Sequence, residues 1–261
     1  MTASLRGDYS RAAKDYSVEQ DWGAYATAEH ALFKRLFDRQ AKLVPRYACR
    51  EWIEAIAGLE AGNEIPKFDS VSKKLRAKTG WEIVAVPGLI PDDAFFTHLA
   101  NRRFPVTVWL RKPEEFDYIV EPDVFHDFFG HVPLLFEPVY ADHLHEYGKG
   151  GLKAVRLDAV KMLARLYWYT IEFGLMRTPQ GIRAYGAGLL SSGGELAYAV
   201  TDEKPARKNF DLEQTLRTDY QIDKYQTTYF VIESFEHLMR ETAPDFTPIY
   251  ARLRTLPALA P

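Results

Sequence analysis

"EPDVFHDFFGHVP", residues 121–133, sets two histidines five positions apart in a run otherwise rich in Phe, Val and Pro, with acidic residues directly around them. At about 100° per residue, side chains five apart on an α-helix diverge by roughly 140°. His126 and His131 therefore cannot converge as an i, i+4 pair does unless the helix tightens or ends between them. Gly130 and Pro133 would permit such an end. The spacing suits two metal ligands, but two hydrogen-bonded core histidines answer it equally well.

A second element bears on the choice. In "LYWYTIEFGL" the carboxylate of Glu172 sits among Tyr167, Trp168, Tyr169, Ile171 and Phe173. A carboxylate in so apolar a helix is costly unless it is paired, protonated or metal-bound, and the alternative is that this face meets solvent. Two imidazoles and one carboxylate with open positions make the facial triad that suits non-haem Fe(II). The same donors also suit catalytic zinc. Arg111 ends a strand ahead of the histidines, where it is either a surface residue or a bidentate grip on a carboxylate. "AYGAGLLSSGGEL" reads as a turn-rich connector or as backbone brought close to a ligand.

Outward from these motifs, the 261 residues hold 47% hydrophobic and 14% aromatic side chains, enough for a sizeable core. The net charge of −3 lacks the basic footprint of a nucleic-acid binder. A lone cysteine, Cys49, rules out an internal disulfide framework and fits a reducing cytosol. No apolar h-region and no run of about 18 apolar residues is present, so neither a secretory signal nor a membrane span is expected. A cytoplasmic globular protein is the resulting expectation.

Along the chain, residues 1–16 read as loose. Ser17 and Gln20 suggest a capping box opening a helix that runs to Pro45. A second helix follows over 46–62, ending at Gly58 or Gly62, and a third over 68–80, capped by Asp69 or Ser70 and stopped by Gly80. Strands are expected at 81–86 and 106–110, with a short helix between them and Pro122 in the first turn of the next helix. A long buried helix spans 158–176, then come Gly-rich turns and short strands, a helix at 211–220, a strand at 227–232 and a helix at 233–242. The fold class is mainly α with short β-strands, in a single domain over 1–261.

Taken together, "EPDVFHDFFGHVPLL", "LYWYTIEFGL" and "AYGAGLLSSGGEL" resemble, nearly residue for residue and in the same order, the catalytic domain of the pterin-dependent aromatic amino acid hydroxylases. The likeness is greatest to the compact bacterial branch that acts on phenylalanine, and it runs from about residue 70 to about residue 240. The resemblance implies a monooxygenase that converts L-phenylalanine to L-tyrosine with O2, a tetrahydropterin and one Fe(II). Its relatives hydroxylate tryptophan or tyrosine instead. His126, His131 and Glu172 would hold the metal. Arg111 would bind the substrate carboxylate, helped by Ser191, with Trp168 lining the ring pocket and Tyr118 at its edge. "PGLIPDDAF" resembles the pterin loop, where Gly88, Leu89 and Ile90 would meet the pterin by backbone and Phe95 would stack on it. Asp127, Ala164 and Tyr167 match further pterin-side positions, and Asp123 would orient a ligating histidine. Two departures stand out: Ile119 replaces a Thr of the animal members, and Gly193 replaces a Phe. By comparison with those members, neither a regulatory domain nor a tetramerisation helix is expected, and so a monomer.

Overall fold

The computed structural model describes residues 5–59 and 61–261. The mainly helical reading with short strands is borne out. A long helix α1 (Thr27–Tyr47), α2 (Arg50–Gly58) and α3 (Phe68–Thr79) precede a parallel β1–α4–β2 unit (Glu82–Val86, Asp92–Ala100, Arg103–Thr107). β1 lies beside β2 in register from Glu82 opposite Arg103 to Val86 opposite Thr107. α5 (Pro138–Arg156) and α6 (Val160–Tyr167) follow, then a mixed sheet of order β4–β3–β6–β5. Its strands are β3 (Leu175–Thr178), β4 (Gly181–Ala184), β5 (Ala206–Asn209) and β6 (Thr228–Ile232). The short helices α7 (Ala187–Ser191), α8 (Glu195–Thr201) and α9 (Leu212–Arg217) are threaded between those strands, and α10 (Phe235–Thr242) and α11 (Thr247–Leu253) come last.

Several expectations are corrected. Ser17 does not cap α1; its hydroxyl bonds Asp15 at 2.6 Å. Gln20 instead ties the loop ahead of α3, donating to the Pro66 carbonyl and accepting from the Phe68 amide. α1 begins at Thr27, where the Glu29 carboxylate accepts from the Ala26 amide. Pro45 does not end the helix. It removes only its own amide from the last turn, and the Ala48 amide still reaches the Val44 carbonyl at 2.8 Å. Burial of Val44 and Tyr47 offsets that loss. Helix two is shorter than read, because Cys49 donates to the Ala184 carbonyl and ties the chain to β4.

α3 follows its expected span and ends on Gly80 at φ +77°, although Lys67 rather than Asp69 or Ser70 is its cap residue. The strand expected at 106–110 lies at 103–107, paired to β1. The 158–176 helix stops at Glu172, and the Gly-rich stretch after it forms β4, α7 and α8 rather than strands and turns alone. The 19-residue α5 fills most of residues 134–157. Of residues 1–16, expected to be loose, 5–16 lie against the body through Arg6, Tyr9 and Asp15; residues 1–4 fall outside the described residues.

The buried apolar side chains join in one continuous cluster, from Phe33 and Leu36 through Phe125, Phe128 and Phe129 to Phe230 and Leu238. α5 packs on α4 through small residues. A Cβ at Gly148 would fall on the Ala100 amide and Leu99, and one at Gly151 on the ring of Phe96. Gly150, between them, has open space. Gly148→Ala is therefore expected to lower stability by about 1–3 kcal/mol through overpacking against backbone. Gly150→Ala, on the same helix, should raise it by about 0.5–1 kcal/mol through helix propensity. Urea unfolding of the two variants measures both, and equal shifts would contradict this packing.

Candidate metal centre and cofactor cleft

The histidines sit on a widened turn. Residues His126–His131 form a π-helical turn, in which i→i+5 bonding stacks residues five apart as an α-helix stacks those four apart. The sequence spacing asked for a helix that tightens or ends; the chain widens instead and reaches the same convergence. The rings lie 5.2 Å apart, nearly perpendicular at 82°. Gly130 is required within this turn, because a Cβ there would strike Ala187 and push α7 away.

Glu172 ends a second π turn, Trp168–Glu172, closed by the Phe173 amide donating to the Trp168 carbonyl at 2.8 Å. The glycines of "AYGAGLLSSGGEL" pack against this turn. A Cβ at Gly186 would meet the Glu172 carbonyl, and one at Gly188 the Phe173 ring, the Glu172 carbonyl oxygen and one oxygen of the Glu172 carboxylate. These glycines bring the stretch against the backbone that bears Glu172.

One Oε of Glu172 lies 3.1 Å from His131 Nε2 and the other 3.5 Å from His126 Nε2. One ligand atom from each of the three side chains falls within 4.8 Å of the other two. Burial pushes the Glu172 carboxyl up, but His131, His126 and the Gly188 amide together hold it below the usual carboxylate range. A charged carboxylate facing two imidazole nitrogens fits a divalent cation. Ser191 sets the His126 tautomer. Its hydroxyl donates to the Ala187 carbonyl at 2.9 Å, so its oxygen accepts from His126 Nδ1–H, also at 2.9 Å. With a cation bound between the rings and Glu172, that tautomer leaves the Nε2 lone pair free to ligate it.

Asp123 does not touch an imidazole. Its carboxylate accepts from the backbone amide of His126 at 3.0 Å and pairs in bidentate fashion with Arg111, at 2.8 and 2.9 Å. Arg111 is buried rather than a surface strand end. Asp123 thus acts on the backbone of His126, and Ser191 on its imidazole. Trp168 is half-buried, stacked on Tyr220 at 4.3 Å, with its indole N–H on Gln226. Tyr118 is exposed, and its hydroxyl donates to the Ile222 carbonyl at 3.3 Å.

On the other flank, Phe96 is buried while Phe95 is half-buried and meets Tyr167 edge-on at 5.7 Å. Tyr167 in turn lies 6.3 Å from the His131 ring. Burial keeps the Tyr167 phenol well above its ordinary value, hence neutral. Asp127 accepts from the Thr107 amide at 2.8 Å, and burial pushes its carboxyl up. Gly88 is buried, Leu89 exposed and Ile90 half-buried. Ala164 is half-buried on α6, one turn before Trp168.

The residues missed in the sequence are supports. Glu195 accepts from the Gln226 amide and from the Tyr229 hydroxyl, and Gln226 holds Trp168. Glu195 stands in an apolar stretch as Glu172 does, so the same question about a buried carboxylate would have found it. Tyr220 and Gln226 carry no local signal.

Comparison with known proteins adds the family. Residues 4–251 match the family described as biopterin-dependent aromatic amino acid hydroxylase. The chain belongs to the biopterin-dependent aromatic amino acid hydroxylases. Among curated members of this hydroxylase family, it is 56% identical to a phenylalanine-4-hydroxylase of Chromobacterium violaceum, over 94% of this chain and 82% of that protein. It is 54% identical to one of Ralstonia nicotianae, over 93% and 78%. The crystal structure of the Chromobacterium violaceum hydroxylase with iron and phenylalanine bound superimposes with a TM-score of 0.92 at 52% identity, covering 98% of this chain and 92% of that one.

Removing the tautomer lock tests the centre. Ser191→Ala should weaken Fe(II) binding about 10- to 100-fold with the fold retained, read by metal titration and circular dichroism. Unchanged affinity would release Ser191 from that role.

Proposed function

We propose that this protein hydroxylates the ring of L-phenylalanine at C4 to give L-tyrosine, using O2, a tetrahydropterin and one Fe(II). The observation that carries this reading is the convergence of His126, His131 and Glu172 within 4.8 Å, in a chain of the biopterin-dependent hydroxylase family. Donor type alone leaves zinc hydrolysis open; family membership selects the oxidative chemistry. The names of the similar bacterial proteins favour phenylalanine over tryptophan or tyrosine.

Iron and pterin together supply the activation of O2, which no side chain can provide. The chain's own residues position and shield. Arg111 spends Nε and one terminal nitrogen on Asp123, and its remaining terminal nitrogen is the donor we assign to the amino-acid carboxylate. Asp123 keeps that guanidinium rigid. Trp168, fixed by Tyr220 and Gln226, is the wall for the substrate ring, with Ser191 and Tyr118 at its borders. Phe95 offers a face to the pterin, Tyr167 and Asp127 stand behind it with Ala164, and the backbone of Gly88, Leu89 and Ile90 meets its edge. The aromatic walls keep water from the reacting centre.

We further propose that the chain acts as a single catalytic domain, monomeric and cytoplasmic. Its continuous core supports the first point. For the last, the lone cysteine, Cys49, leaves the chain without an internal disulfide, as is usual in a reducing compartment. Among the described residues, no helix is long and apolar enough to cross a membrane.

An aerobic assay with Fe(II) and tetrahydrobiopterin against phenylalanine, tryptophan and tyrosine, with products identified by mass, tests the reading. Tyrosine formed from phenylalanine is the expected result, and activity restored by zinc alone would sink it. Glu172→Gln should lose most bound Fe(II) while staying folded. Phe95→Ala should raise the pterin KM several-fold and uncouple pterin oxidation from tyrosine formation, since stacking contributes about 0.5–1.5 kcal/mol beyond area burial. Phe96→Ala, by contrast, should act on melting temperature. Identical pterin kinetics in the two variants would place the cofactor elsewhere.

A further inference from the structure

The segment ahead of α1 is a strap across the β1–α4–β2 unit. Val18 donates its amide to the Ala85 carbonyl of β1 at 2.9 Å. Asp15 pairs with Arg103 of β2 at 3.0 Å, and its carbonyl meets His98 Nε2 of α4 at 2.7 Å. At the other end Arg6 pairs with Glu115 and lies over the Trp109 ring at 5.2 Å. Between these anchors the Tyr9 hydroxyl donates to the Leu89 carbonyl at 2.8 Å.

That contact falls on the most constrained point of the loop. Gly88 has φ +151°, a conformation few L side chains adopt. A Cβ there would also lie 2.9 Å from the Tyr9 hydroxyl, 3.0 Å from Glu121 and 3.5 Å from the Trp109 indole nitrogen. Trp109 Nε1–H donates to the Pro87 carbonyl at 3.1 Å. Both carbonyls flanking Gly88 are therefore held from the protein side. The amides of Gly88, Leu89 and Ile90 donate to no group among the described residues. Burial and the nearby Glu121 push the Tyr9 phenol up, so it remains a donor.

We infer that Tyr9 is a positioning residue for the cofactor: its hydroxyl holds the Leu89 carbonyl back so that the 88–90 amides stay turned toward the pterin edge. This rests on the reading of residues 87–95 as the pterin loop. Tyr9 bonds Leu89 and none of the residues assigned to metal or substrate, so its effect should be confined to the pterin.

The test compares Tyr9→Phe, which removes one oxygen atom, with Phe95→Ala, using iron-loaded protein. Calorimetric binding of 7,8-dihydrobiopterin, the separate KM values for tetrahydrobiopterin and phenylalanine, and amide hydrogen exchange over residues 86–91 are the readouts. Tyr9→Phe is expected to bind dihydrobiopterin about five-fold more weakly, to raise only the pterin KM, and to exchange the 88–90 amides faster at an unchanged melting temperature. If Tyr9→Phe binds the pterin normally while Phe95→Ala does not, the inference falls and the cofactor reading stands. If neither variant weakens binding, the pterin is not at this loop and both fall. A matching rise in phenylalanine KM with a lower melting temperature would make Tyr9 a general structural residue and also overturn the inference.

Discussion

The buried pair between Arg111 and Asp123 holds the rest of the site in place. Asp123 is fully buried and Arg111 nearly so. One carboxylate oxygen takes the Arg111 side chain and its own backbone amide; the other takes the second guanidinium nitrogen and the His126 amide. A single carboxylate thus joins the segment that leaves β2 to the first residue of the metal-binding turn. Such a pair adds little net stability when intact, because desolvation opposes the Coulomb attraction. Breaking it leaves a buried charge without a partner, at roughly 3–5 kcal/mol. Its value here is geometric: it orients a guanidinium and starts a helix with one group.

Around that pair, convergence depends on two widened turns facing each other. A π turn sacrifices regular α-helical bonding and is commonly found at functional sites. Here each one re-aims a ligand, His131 in the first and Glu172 in the second. The turns are brought together by residues without side chains: Gly130 admits α7, Gly186 and Gly188 admit the Glu172 backbone, and Gly174 avoids Thr170 and Tyr185. Ser191 arrives on α7 as a consequence and orders the imidazole of His126.

The two flanks of the centre are built differently. The Trp168 side is an aromatic stack held by polar groups from a distant stretch, Gln226 and through it the buried carboxylate of Glu195. The Phe95 side is a set of edge contacts running from Phe96 through Phe95 to Tyr167, backed by Tyr147 on α5. Of the departures from the animal members, Gly193 has a visible consequence. A Cβ at this position would meet the Arg39 guanidinium at 2.9 Å. Arg39 stacks on Phe116 and bonds its carbonyl, so α1 here supports the loop that carries Tyr118.

Periodicity and burial cost, both local properties, made much of this legible in the sequence. An apolar helix around Glu172 raised the question of a partner for its charge, and the resemblance of the motifs pointed to His126 and His131. Gly80 ended α3 because a left-handed cap is nearly a glycine privilege. What stayed hidden was set by groups distant along the chain. Pro45 was tolerated because Val44 and Tyr47 are buried by other elements, and Ser17 and Gln20 were drawn away from a cap by Asp15 and Pro66. The widening of both ligand turns, the Ser191 hydroxyl against the His126 ring, and the strap that puts Tyr9 on Leu89 all required the tertiary structure. Residue spacing specifies which groups share a helical face only while the helix keeps its pitch. Here packing between remote segments changed the pitch, and with it the direction in which the ligands point.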